Sequence, residues 1–132
     1  SKKELFCQKW REVAIKFSGS TQRIPAARQT TLTINPDGTF TEELYAISSG
    51  EKKFHKGTAN GQWKFSSDSM HIGFMHLGLD DNPQDKTAIE TFHTSDSLVK
   101  LTRDQLIYGI PAFNVSKNAW GYHYHYLARV KN

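Results

Sequence analysis

The stretch "TTLTINPDGTFTEELYAI", residues 30–47, decides how the chain is read. Leu32 and Ile34 alternate with threonines, Asn35-Pro36-Asp37-Gly38 supplies turn chemistry, and Phe40, Leu44 and Ala46 follow at even spacing. A period of two puts alternate side chains on one face of a strand, and a Pro-Asp-Gly turn between two such runs predicts a β-hairpin. No run of a dozen residues shows a 3.6-residue apolar period, so the hairpin sets the class for the whole chain.

Working outward, "KWREVAIKFS" (9–18) predicts a first strand and "GSTQRIPAARQ" (19–29) a loop. Ser48-Ser49-Gly50 turns the chain into "EKKFHKG", and a further turn at Asn60-Gly61 introduces "GQWKFSS", where Trp63 and Phe65 share a face. After "SDS", the segment "MHIGFMHLG" (70–78) places Met70, Ile72, Phe74 and His76 on one side and His71, Gly73 and Met75 on the other. "LDDNPQD" is a loop, while "KTAIETFH", "DSLVKLT" and "DQLIYGI" read as strands. "PAFNVSKN" (111–118) reads as a loop before the last strand. The sum is about eight to ten strands with short connections, an antiparallel up-and-down meander that closes as a barrel or packs as a sandwich. Closure is favoured because it removes exposed strand edges.

The chain has 132 residues, the size of one domain, so residues 1–132 read as a single unit. Its 17 Lys and Arg against 13 Asp and Glu leave a net charge of +4, scattered rather than gathered into a stripe. That pattern attracts anions weakly and lacks the footprint of a nucleic-acid binder. Cys7 stands alone and cannot form an internal disulfide, and no apolar run reaches the length of a transmembrane segment.

"WGYHYHYLARV" (120–130) is the most conspicuous candidate site. Alternation separates Tyr122, Tyr124 and Tyr126 from His123 and His125. Two imidazoles on one face would need a third ligand from His55, His71, His76 or His93 to hold zinc, so no metal is assigned and the histidines read as an outward, solvated face. The tyrosines, with Trp120 before them, then form an inward aromatic wall whose hydroxyls orient an amphipathic ligand. Phe40, Leu44, Trp63, Phe65, Ile72, Phe74 and Tyr108 complete the expected lining; the alternative is ordinary packing of a filled barrel. A catalytic reading would pair a tyrosine with a histidine, or with Glu42, Glu43 or Glu90. No Gly-x-Ser-x-Gly elbow, phosphate loop or His-Glu-x-x-His helix supports it, and no catalytic residue or cofactor is assigned.

Trp10 near the start of the first strand, "NPDGTF" (35–40), "GQWKF" (61–65) and "LTRDQLIYG" (101–109) together resemble the lipocalin-like domains of secreted bacterial proteins, across almost the whole chain. The wider lipocalin and fatty-acid-binding group often starts with Gly-x-Trp and carries a late Arg packed across that Trp. Here Trp10 and Arg129 take those places, Gln8 stands where glycine is usual, and a Thr-Asp-Tyr-type motif is missing. The resemblance implies a calycin-type barrel that binds a small hydrophobic or amphipathic molecule without catalysis, as a monomer or weak dimer. It also implies a secreted or periplasmic location, although these residues contain no signal pattern. Two other classes remain: a protein- or glycan-interaction module with a filled barrel, using loops such as "GSTQRIPAARQ" and "LGLDDNPQD", and a small barrel enzyme.

Overall fold

A computed structural model describes residues 1–17, 20–24, 29–47, 53–77 and 93–131, with only the backbone of 46, 47 and 53–56. One short helix, α1 (Lys2–Phe6), precedes the strands β1 (Lys9–Phe17), β2 (Ser20–Arg23), β3 (Thr31–Ile34), β4 (Thr39–Ile47) and β5 (Lys53–Phe65). Then come β6 (His71–His76), β7 (Asp96–Leu101), β8 (Gln105–Asn114) and β9 (Ala119–Arg129). Each strand from β3 to β9 pairs with the next, while β1 joins β3 on one side and β9 on the other, all antiparallel. Eight strands therefore close into a barrel, and β2 is an extra strand on the far half of β1.

The β3–β4 hairpin forms for the reasons its sequence states. Asp37 accepts from the Thr39 amide at 3.0 Å and the Thr39 hydroxyl at 2.6 Å, bonds that hold its carboxyl below the usual range. Gly38 takes φ +92°, which glycine adopts without steric penalty. Trp63 then staples the turn to β5, its amide donating to Gly38 O at 2.9 Å and its indole Nε1 to Asn35 O at 2.8 Å.

The inner face follows from buried pairs. Leu106 lies opposite Leu127, Trp63 opposite Phe74 and Ile34 opposite Phe40, so alternation from these positions fixes which side chains enter the barrel. At one end Phe6, Trp10, Leu32, Ile34, Phe40, Trp63, Ile72, Leu106 and Leu127 form the core. Helix α1 plugs this end: Ser1 caps it, and the Phe6 ring sits 5.0 Å from Trp63 and 5.1 Å from Phe65. Trp10 Nε1 donates to Phe6 O at 3.0 Å, so the indole is buried without losing its hydrogen bond. Burying a Phe side chain of this size contributes roughly 1.5–3 kcal/mol.

Three expectations about the elements are corrected. Ser20–Arg23, expected inside a loop, is β2; its four side chains are exposed, so its strand character comes from pairing with β1 and leaves no apolar alternation to read. Asn60-Gly61, expected as a turn, lies inside the thirteen-residue β5. Gly61 is there for close approach: a Cβ would fall 2.3 Å from both Phe40 Cζ and Met75 O. Residues 111–114, expected as loop, continue β8. Beyond Gly109 that strand has only β9 as a described partner, and a one-sided stretch tolerates the missing N–H of Pro111. The expected turn at 48–50, the loop at 79–85 and residues 86–92 of the expected strand lie outside the described residues.

Candidate functional site

Away from α1, toward the β8–β9 hairpin, the inner face changes character. On β5 the inward positions are Gly61, Ala59 and Gly57, opposite Phe40, Glu42 and Leu44. Gly61 is pressed against its neighbours, whereas a Cβ on Gly57 would meet nothing within 4 Å among the described residues. Gly121, inward on β9, likewise faces open space. A hollow of about 560 Å³ lies against the β8–β9 hairpin, lined by Phe17, Ala112 and His123 and also by the outward-facing Phe113, Trp120 and Tyr122. The barrel is thus close-packed at the helix end and open at the hairpin end.

Between the two lies a tier of polar side chains. Register places Glu12 on β1, Glu42 on β4, His76 on β6, Asp96 on β7, Tyr108 on β8 and His125 on β9 on the inner face. Glu12 reaches His125 from one register step away, and Glu12 Oε1 hydrogen-bonds His125 Nδ1. Glu42 Oε1 meets His76 Nε2 at 2.7 Å. The Tyr108 ring stacks on His125 with centroids 5.1 Å apart and packs 5.7 Å from Phe74. Burial first, then the negative charges of Glu12, Glu42 and Asp96, push its hydroxyl far above the ordinary tyrosine range, so it stays protonated. Burial also raises the Asp96 carboxyl to about 6, against a smaller opposing pull from His125.

The final strand reverses the expected assignment of faces. Leu127 is buried opposite Leu106, so His125 and His123 share its inner face while Tyr122, Tyr124 and Tyr126 point outward. Tyr122 and Tyr124 cover the outer side of β8, each with a ring carbon 3.1 Å from where a Gly109 Cβ would be. Trp120 also lies outside, 74% exposed, with its ring 5.5 Å from Phe113. All four rings lie on the outer face, because the phase of the strand is set by Leu127 and the outer face offers Gly109 and Pro111 as seats for large rings; at the hairpin Trp120 and Tyr122 still border the hollow. The histidines are not the solvated face expected of them: His125 holds Glu12, and the His123 ring lies 4.3 Å from Phe17.

Of the other expected lining residues, Phe40, Trp63 and Ile72 belong to the closed core, and Phe65, Phe74 and Tyr108 pack against it. Leu44 faces inward at the open end and is 39% exposed. Glu43 is on the outer face and accepts from the Tyr45 hydroxyl at 2.7 Å; Glu90 lies outside the described residues. Glu12 and Asp96 were missed as site residues, although inward parity from Leu127 and Leu98 points to them or to their partners, while His76 was considered only as a third metal ligand. Among the described residues no group of three or more His, Cys, Asp or Glu is arranged to hold a metal, and no helix is long and apolar enough to cross a membrane.

The closed antiparallel barrel of eight strands is consistent with a calycin-like barrel. Comparison of the chain with family models, curated proteins and solved structures found no match.

Proposed function

We propose that the chain is a lipocalin-like binding protein that holds a small, partly apolar molecule in the hairpin half of its barrel, without catalysis. One observation carries this reading. The inner wall passes from close packing at Gly61 to open space at Gly57 within a single strand, a transition that a filled barrel would not need. Ile15, Phe17, Leu44, Leu98 and Ile110, all at inward positions, give the space an apolar side, and the polar tier beneath it orients the ligand. The order of Trp10 and Arg129 supports the same reading: they lie opposite one another on β1 and β9, as the lipocalin likeness implies, and Arg129 Nε is 3.3 Å from Asp104. A secreted or periplasmic setting belongs to this proposal and rests on the resemblance alone.

Titration of the purified chain with Nile red, a neutral apolar dye, tests the reading. Saturable one-to-one binding, with displacement of the dye by short-chain amphiphiles, is expected. No enhancement of dye fluorescence up to its solubility limit would overturn the proposal.

A further inference from the structure

Resting on that reading, we infer that the polar end of the bound molecule is a cation, a protonated amine on an apolar body, received by Asp96, with Glu12 and Glu42 elsewhere on the same inner face. The sign of the inner wall carries the inference. The whole chain is at +4, yet at the described inward positions of the hairpin half the acids are Glu12, Glu42 and Asp96, and neither Lys nor Arg faces in. Arg129 is the inward arginine of β9, and it lies at the helix end beside Asp104. An anionic head group would have no cation to meet in this tier except a protonated histidine.

Two of the three carboxylates already have partners, Glu12 with His125 and Glu42 with His76. Asp96 does not: its surroundings are burial and the field of His125, with no hydrogen bond to its carboxylate among the described residues. Tyr108 is the second, independent sign of a missing partner. Its ring is fixed between His125 and Phe74, and its hydroxyl, within the field of Glu12, Glu42 and Asp96, makes no hydrogen bond among the described residues. Neither the Tyr108 hydroxyl nor the Asp96 carboxylate is sealed inside the protein, so both stay open to a donor-rich group entering the tier. An ammonium supplies three donors and a positive charge, matching an acceptor oxygen on Tyr108 and a carboxylate on Asp96.

The tier also dictates how binding responds to pH. The titratable groups facing Asp96 are Tyr108 and His125, with Glu12, Glu42 and His76 in the same tier. Acidification protonates Asp96, which removes the charge that attracts a cation. Amine binding therefore weakens as pH falls through about 6.

Displacement of Nile red from the native chain by octylamine, octanol and octanoate at pH 7.5 separates the possibilities, because the three share one alkyl chain and differ in charge. The expected order is amine, alcohol, carboxylate, with octylamine about tenfold or more tighter than octanoate. Asp96→Asn should lower octylamine affinity about tenfold relative to octanol, with an unchanged circular dichroism spectrum showing that the variant is folded. Octanol or octanoate binding as well as octylamine would overturn the cation inference and leave the binding proposal standing. No binding of the dye or of any of the three would overturn both.

Discussion

His125 on β9 is hydrogen-bonded through Nδ1 to Glu12 on β1, across the strand pair that closes the barrel. The bond ties the seam together and fixes the imidazole against Tyr108. Glu12→Ala leaves a part-buried imidazole without its partner, and should destabilise the fold by about 1–3 kcal/mol in denaturant titration. Glu12→Gln, which can still accept a hydrogen bond, should cost less. Equal losses for the two variants would show that the negative charge of the carboxylate matters and the hydrogen bond that glutamine can keep does not.

Asp96 makes a prediction with a definite sign. Its carboxyl is raised to about 6 in the folded chain, against about 3.9 for an unfolded aspartate. The folded state thus holds the proton more tightly, and this group's contribution favours folding at low pH and is lost as pH rises from about 4 to 6. Asp96→Asn removes the penalty of a half-buried charge. Solvent screening reduces that penalty, so the variant should be more stable by about 1–2 kcal/mol at pH 7. The difference should vanish near pH 3.5 to 4, read by thermal or urea unfolding across pH. A variant less stable than the native chain at pH 7 would contradict the assignment.

Gly61 and Gly57 predict opposite responses to the same substitution. Gly61→Ala drives a Cβ into the Phe40 ring and the Met75 carbonyl and should destabilise by roughly 1–3 kcal/mol. Gly57→Ala meets open space and should be neutral or stabilising by up to about 1 kcal/mol, since it restricts the unfolded chain. Urea midpoints of the two variants check both.

Tyr122 and Tyr124 cover Gly109 from outside. Changing Tyr124 to Ala should lower stability by exposing the outer side of β8 while leaving Nile red affinity within about twofold, because its ring lies on the outer face and does not line the hollow. Loss of dye binding at an unchanged folded fraction would place the binding surface on the outer wall.

Much of the barrel was legible in the chain because its strands announce themselves by alternation: Leu32 with Ile34, Trp63 with Phe65, Ile72 with Phe74. β2 was not, since Ser-Thr-Gln-Arg is polar on both faces and is a strand only because β1 offers an edge. Gly61 misled for the opposite reason. Glycine serves turns and close approaches alike, and only the Phe40 ring across the ladder distinguishes the two. The face of β9 was legible and misread: the tyrosines drew attention by number, whereas the single aliphatic Leu127 carries the phase. The polar tier was hidden because its members come from six strands, and no spacing within one strand brings Glu12, Asp96 and His125 together.

The central claim is that the hairpin half of the barrel is the binding space, and Gly57→Leu tests it most directly. Leucine at this position projects into the space that Gly57 leaves open, on a strand whose backbone needs no glycine conformation. Nile red should bind the native chain saturably and bind the Gly57→Leu chain at least about tenfold more weakly, with both chains equally folded by circular dichroism. Equal dye affinity in the two proteins would contradict the account.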